Sequence, residues 1–242
     1  MKYDYCILNG KKSSLIKGLM IQSLPIISKP MMRANIEEID GRDGDIITKL
    51  GFAAYDRTMK IGLYGDFDIY EVLNYFNSDG EAIFSNEPEM IYKYHILNQI
   101  DFEKLLRFRT ADVVFHCQPF KHSSFKESFE FDYNNPLTVC NRGNVYSRPN
   151  FIVYDSNLFA TAKHIYVDNV LKMTIKQPSN ASVETTTVVI NNENMQATAV
   201  TSSGDVINRY VTCDYTKCIL TPGVHTLTTD GFVTISETSR WI

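Results

Sequence analysis

The sequence predicts a mainly β protein of two domains, an N-terminal β-sandwich-like domain with one packed α-helix and a C-terminal β-sandwich. Three observations lead to this prediction. The chain of 242 residues is long enough for two cores of ordinary size. One segment with helical periodicity lies among alternating segments in the first half, and the second half has no helical period. Asn, Pro and Gly cluster at residues 132–150 and interrupt both patterns.

The charge density changes at the same place. Residues 1–132 carry 16 Lys and Arg with 20 Asp and Glu, whereas residues 133–242 carry 8 of each class. The second part is also rich in Thr and Val, which favour strands with one solvated face. We therefore expect one domain over residues 1–132 and another over residues 133–242.

The first domain combines strands with one amphipathic helix, predicted over about residues 68–79. The apolar side chains of this helix recur at one helical face, at Ile69, Val72, Leu73 and Phe76. Asp68 and Glu71 are typical of a capping box, and Gly80 ends the segment. Alternating patterns predict strands in the segments MKYDYCIL, RTMKIGLYG, EAIFS, YKYHIL and RFRTADVVFHCQP.

Turn signals divide the second domain into short strands. Asp230 and Gly231 stand between two Thr- and Val-rich runs, and we expect a hairpin there because a type I′ turn needs two positive φ angles. Residues 202–205 (SSGD) and the pair Asp168 and Asn169 punctuate two further strand pairs. Several short strands at this spacing predict a β-sandwich.

The composition excludes several classes of partner. The net charge of −4 and the pI near 5.7 argue against the basic surface that binds nucleic acid phosphates. No apolar run approaches the length of a membrane span, and the first residues lack the apolar region of a signal peptide. We expect no nucleic acid partner, no membrane partner and synthesis in a cytoplasm.

The stretch EEIDGRDGDI concentrates five acids, one arginine and two glycines. An EF-hand starting at Asp43 fails because Ile47 stands where an oxygen ligand is needed. Asp40, Asp43 and Asp45 could supply a carboxylate pair for glycoside hydrolysis, but no partner motif supports one. A structural loop is favoured, with glycines in tight turns and Arg42 paired to an acid.

No catalytic residue, metal site or cofactor is predicted elsewhere. The five histidines form no zinc-protease motif, and neither a nucleophile elbow nor a phosphate-binding loop is present. Two alternatives to a structural role remain open. One is a carbohydrate-binding module that recognises host cell-wall glycans through the second domain, with Trp241 as the candidate sugar contact. The other is an enzyme such as a wall hydrolase.

The order of motifs resembles the distal tail proteins of long-tailed bacteriophages. The segment EEIDGRDGDI is similar to the Gly-Arg-Asp-Gly sequence near the front of that family. The strand, the helix and the segments that follow also agree in order, namely GEAIFSNEPEMIYKYHI, ADVVFHCQPFKH, NRGNVYSRPNFIVY and LTPGVHTLTTDGFVTISETSRW. The resemblance spans nearly the whole chain.

This resemblance implies a structural hub and no enzyme. Such proteins form a hexameric ring at the tail tip, between the tail tube protein and the tail-associated protein, a tail fibre or lysin-like component. Their C-terminal galectin-like sandwiches, similar to carbohydrate-binding modules, point outward and carry receptor-binding proteins in elaborate baseplates. The implied location is the virion, after assembly in the bacterial host cytoplasm. Arg42, Asp40, Asp43 and Asp45 then become candidates for ion pairs within the domain or across the ring.

Overall fold

A computed structural model describes residues 4–242 except 78, 156–160, 177–184, 202, 208–214 and 216. The chain divides into two compact units, Met1–Ser124 and Phe125–Trp241. The division falls earlier than the boundary we expected at residue 132. The reason is that the strand Ser128–Asp132 pairs with Phe232–Ser236 of the second unit.

The described part of the first unit contains nine strands and two α-helices. The strands are β1 (Cys6–Leu8), β2 (Lys11–Lys12), β3 (Leu19–Ser23), β4 (Met32–Glu38), β5 (Asp45–Phe52), β6 (Tyr55–Leu63), β7 (Gly80–Phe84), β8 (Met90–Ile96) and β9 (Thr110–Ser123). The helices are α1 (Ile69–Phe76) and α2 (Phe102–Phe108), and a 3-10 turn covers Ser13–Leu15.

Seven of these strands form one antiparallel sheet in the order β2-β1-β7-β8-β9-β6-β3. Along β6 the buried residues alternate, so that Met59 and Ile61 face the core. Phe115 of β9 lies at the centre of an aromatic cluster, with ring centroids 5.3 Å from Phe84 and 5.2 Å from Tyr94. Edge-to-face contacts of this kind add to the free energy gained by burying the rings.

Helix α1 packs on this core as the sequence predicts. The Asp68 side chain accepts hydrogen bonds from the backbone N–H groups of Tyr70 and Glu71, which caps the helix. Val72, Tyr75 and Phe76 are buried. Glu71 forms a 3.4 Å ion pair with Lys11, so only the Asp68 half of the predicted capping box is present.

Helix α2 is a second helix that the sequence pattern does not reveal. It has seven residues, too few for a helical period, and the Asp101 side chain caps it through the backbone N–H of Lys104 at 2.8 Å. Arg109 ends it in the left-handed conformation at φ 57°. Leu105 alone among its described side chains is buried.

The second unit contains β10 to β20, which are β10 (Ser128–Asp132), β11 (Leu137–Asn141), β12 (Asn150–Tyr154), β13 (Lys163–Val167), β14 (Val170–Ile175), β15 (Thr185–Asn191), β16 (Gln196–Thr201), β17 (Val206–Ile207), β18 (Gly223–Thr229), β19 (Phe232–Ser236) and β20 (Arg240–Trp241). One antiparallel sheet has the order β10-β19-β12-β15-β16-β17 and a second has the order β11-β18-β13-β14. Inward side chains of both sheets share one core, so the unit is a β-sandwich.

Two of the three predicted turns of this unit are hairpins. Asp168 and Asn169 join β13 to β14 with positive φ angles of 52° and 62°, as a type I′ turn requires. The segment at 203–205 joins β16 to β17, and Ser202 lies outside the described residues.

The predicted hairpin at Asp230 and Gly231 is wrong. The strands on either side belong to different sheets, and neither residue has a positive φ angle. The Asp230 carboxylate instead accepts hydrogen bonds from the backbone N–H of His164 and lies 2.6 Å from its Nδ1. These two contacts hold the segment in which the chain passes from one sheet to the other.

The predicted fold class is confirmed, because both units are built mainly from strands and α1 packs on the first. Neither helix in the described ranges has the length and apolar character needed to cross a bilayer.

Candidate assembly surface

The hairpin formed by β4 and β5 is the most exposed element of the first unit. Among the residues that the structure describes, its two strands pair only with each other, and neither contains a buried residue. A two-stranded hairpin without a packed face is marginally stable in water. The hairpin therefore presents a surface that a partner would stabilise.

Large apolar side chains are concentrated in and around this hairpin. Eight of them are exposed between residues 26 and 50, namely Ile26, Ile27, Met31, Met32, Ile36, Ile39, Ile47 and Leu50. Exposed apolar groups that occur singly are common on soluble proteins, but their concentration in one segment favours an interaction site.

The tip of the hairpin is strongly acidic. Glu38 lies directly opposite Asp45 across the two strands, and like charges in this position are destabilising. Gly41 and Gly44 have φ angles of +82° and +79°, as the tight turns predicted from the sequence require. The backbone N–H of Arg42 donates to the carbonyl of Ile39 at 3.1 Å, which closes the turn.

The structure brings Arg42, Asp40, Asp43 and Asp45 together at this exposed tip. None of their side chains forms an ion pair with any residue in the described ranges. The same ranges contain no group of three or more His, Cys, Asp or Glu side chains that could hold a metal ion. A role for Arg42 in an ion pair across subunits stays a prediction.

The root of the hairpin is held by Arg57, a buried residue of β6. The Nη2 of Arg57 donates to the carbonyl of Ile26 at 3.1 Å and of Pro25 at 3.5 Å. The Nδ2 of Asn86 also donates to the carbonyl of Pro25, at 3.0 Å, and the Ala53 N–H donates to the Met31 carbonyl at 2.8 Å. These bonds fix the chain where it leaves the packed sheet.

A compact charge network surrounds Arg57. Its guanidinium lies 4.2 Å from the Tyr92 ring centroid and 3.6 Å from the Glu87 carboxylate, which also accepts a 3.0 Å bond from Lys121. Burial raises the pKa of the Tyr92 hydroxyl, and its hydrogen bond to Glu87 acts in the same direction. The Nε and Nη1 atoms of Arg57 are buried without a hydrogen-bond partner among the described residues, so the network carries a desolvation cost.

Helix α2 provides a second exposed surface, of opposite charge. Lys104, Arg107 and Arg109 outweigh Glu103, which gives residues 103–109 a net charge of +2. Leu106 and Phe108 of the same helix are exposed. Within the described ranges, neither Lys104 nor Arg107 forms an ion pair.

The candidate sugar contact, Trp241, lies half-buried in β20. A groove of about 660 Å³ is found elsewhere in the second unit, on the outer side of β10, β19 and β12, where Tyr154 and Phe232 line it together with Glu130. Trp241 is not part of that groove. A sugar contact at Trp241 stays a prediction.

Sequence reasoning found the acidic tip but missed the hairpin that carries it. The strands of the hairpin are exposed on both faces, so the alternation of apolar and polar residues that reveals a half-buried strand is absent. The available signal for a hairpin was the pair Gly41 and Gly44, which lies between two segments that contain β-branched residues. Arg57 was missed because its burial depends on residues distant in the chain.

The sequence matches no protein-family model and no curated protein. Solved structures do match in fold, and they include a phage hub protein and a chain of a phage baseplate. The chain is similar over its whole length to the Dit (gp 19.1) protein of phage SPP1, described as a paradigm of the hub adsorption apparatus in phages infecting Gram-positive hosts. That similarity has a TM-score of 0.62, 17% identity and full coverage of both chains.

A chain of the phage p2 baseplate in its activated conformation with Sr is also similar, with a TM-score of 0.52, 9% identity and 97% of each chain covered. The resemblance to distal tail proteins that the sequence suggested is thus confirmed at the level of the fold. The carbohydrate-binding alternative is not favoured, because the described matches are hub and baseplate structures.

Proposed function

We propose that this protein is the structural hub of a long-tailed bacteriophage tail tip or baseplate and has no catalytic activity. In this role it forms a ring of six copies through its first unit. The ring joins the tail tube protein to the tail-associated protein, and the second unit is available for receptor-binding proteins. The protein is then a component of the virion, assembled in the cytoplasm of the bacterial host.

The observation that carries this proposal is the β4–β5 hairpin. Within the described part of the chain each of its strands has one unpaired edge. The hairpin has no buried residue, and it holds most of the exposed apolar side chains of residues 26–50. A protein that acts alone gains nothing from such an element, and an exposed strand edge promotes unwanted pairing. An assembly protein covers the hairpin when its subunits associate.

The similarity to the SPP1 Dit protein supports the same role, because it extends over both units rather than over one common β-sandwich. A β-sandwich by itself serves many functions, so the second unit alone would carry little weight. We therefore propose the hub role for this chain because the fold and the exposed hairpin both support it.

Solution mass tests the proposal directly. We expect light scattering over a concentration series to give a mass near six times that of the 27.7 kDa chain, and negative-stain images of that species to show a central hole. The control is a variant in which residues 33–51 are replaced by two glycines, which removes the hairpin but leaves the seven-stranded sheet. This control should stay a folded single chain. A wild-type protein that remains a single chain at every concentration would contradict ring formation.

A further inference from the structure

The hairpin and helix α2 have complementary surfaces, which matters for how copies of the chain could associate. On one face of the hairpin the opposed pair Glu38 and Asp45 is followed, two residues along each strand, by the opposed pair Ile36 and Ile47. We call these four residues the acidic hairpin face. The face therefore places two carboxylates beside two exposed apolar side chains.

The exposed side of α2 has the same two components with the opposite sign of charge. Lys104 and Arg107 are exposed cations, and Phe108 is an exposed apolar side chain on the same helical face, at spacings i, i+3 and i+4. We call these three residues the α2 patch. The guanidinium of Arg107 can donate two parallel hydrogen bonds to one carboxylate, a geometry that the ammonium group of a lysine does not offer.

The acidic hairpin face lacks a cation that its charges require. Two carboxylates opposite each other repel, and within the described ranges no Lys, Arg or His forms an ion pair with Glu38 or Asp45. In the same ranges, neither cation of the α2 patch forms an ion pair with a carboxylate. Each surface supplies what the other lacks.

We propose that the acidic hairpin face of one copy of this chain binds the α2 patch of the next copy. This inference rests on the proposed self-assembly and specifies its interface. A closed ring needs two different surfaces on each subunit that fit each other head to tail, and these two surfaces are different and complementary in charge. Ile36 and Ile47 cover Phe108, while Arg107 and Lys104 bridge Glu38 and Asp45.

Charge reversal tests the pairing. The hairpin variant carries Glu38→Lys and Asp45→Lys, and the helix variant carries Lys104→Glu and Arg107→Glu. We expect each variant alone to need at least about tenfold higher concentration than wild type to assemble, because it brings like charges together. Mixing the two variants in equal amounts, or combining all four substitutions in one chain, should restore assembly because every interface regains opposite charges.

The control is Glu89→Lys, which reverses an exposed acid of the first unit outside both surfaces. It should assemble like wild type. Undiminished assembly of both charge-reversed variants would overturn the pairing and leave the ring intact. Failure of the equal mixture to assemble, when wild type does assemble, would also overturn the pairing. A wild-type protein that stays a single chain would instead overturn the proposed self-assembly, and this pairing with it.

Discussion

Ile36 and Ile47 lie directly opposite each other across the β4–β5 hairpin, and their side chains are 58% and 59% exposed. Opposed β-branched residues normally stabilise a sheet by covering each other on a face that is then buried. Here the pair faces solvent in the single chain. The pair can therefore contribute free energy of burial only when a partner covers it.

Replacing both isoleucines with threonine should weaken assembly without unfolding the chain. Threonine keeps the β-branched shape and strand preference but removes apolar surface, and full burial of an isoleucine contributes about 1.5 to 3 kcal/mol. We expect the midpoint concentration of assembly to rise at least about tenfold. Light scattering measures the assembly, and thermal unfolding of the single chain should hardly change. Val224→Thr, at a strand residue of the second unit that is also exposed, is the matched control.

Arg57→Leu should destabilise the first unit by about 2 to 3 kcal/mol, because the carbonyl of Ile26 loses its donor and the Glu87 carboxylate loses one of its cations. The loss is limited because Lys121 still pairs with Glu87, and because two unpartnered nitrogens of Arg57 are no longer buried. Denaturant unfolding measures the free energy.

Limited trypsin digestion gives a second readout for the same variant, since the hairpin contains Arg42 and Lys49. A loosened root should make cleavage there faster. Arg142→Leu is the control, because that arginine is exposed and its pair with Glu127 at 3.7 Å should contribute less than about 1 kcal/mol. Unchanged stability and cleavage in Arg57→Leu would show that Arg57 does not hold the root.

The pair formed by Asp168 and His225 should give the second unit a specific acid sensitivity. The Nδ1 of His225 lies 2.7 Å from the Asp168 carboxylate, and this hydrogen bond lowers the pKa of Asp168, helped by the backbone N–H of Thr226 at 2.9 Å. A lowered folded pKa means that the unfolded chain binds more protons in acid. The stabilisation is therefore complete above about pH 5 and is lost as pH falls below the ordinary value of about 3.9.

Asp168→Asn removes this contribution, so the difference in unfolding free energy between wild type and variant should shrink as pH falls from about 5 to 2. The side chain of Asp168 is 53% exposed, and solvent screening limits the difference to about 1 kcal/mol or less. Chemical denaturation at several pH values measures it. A difference that stays constant over this range would exclude Asp168 as a contributor to the acid sensitivity.

Gly143→Ala should disrupt the second unit severely. An added Cβ would lie 1.8 Å from the carbonyl oxygen of Arg240, and because the obstacle is backbone it cannot simply rotate away. We expect a loss of several kcal/mol, about 3 or more, in denaturant unfolding. Gly231→Ala is the control, since its nearest neighbour would be the flexible Lys163 side chain at 3.4 Å. Equal stability of the two variants would mean that the backbone segments at Gly143 and Arg240 can move apart without cost.

The sequence by itself determined the regular parts of this protein. Apolar periodicity and an Asp68 cap identified α1, alternation identified β6 to β9, and Asp168 with Asn169 marked a break between two strands. These signals are local, because each depends on residues that are close together in the sequence. The order of the segments was also enough to suggest the fold that the structural comparison confirmed.

Only the tertiary structure decided where the chain is exposed and which strands pair. Asp230 and Gly231 have the composition of a hairpin turn, yet the strands on either side of them belong to different sheets. The Asp230 carboxylate accepts a hydrogen bond from the backbone N–H of His164. The β4–β5 hairpin shows no half-buried alternation because neither of its strands contains a buried residue. Burial and strand pairing depend on contacts between residues far apart in sequence, and no local pattern records them.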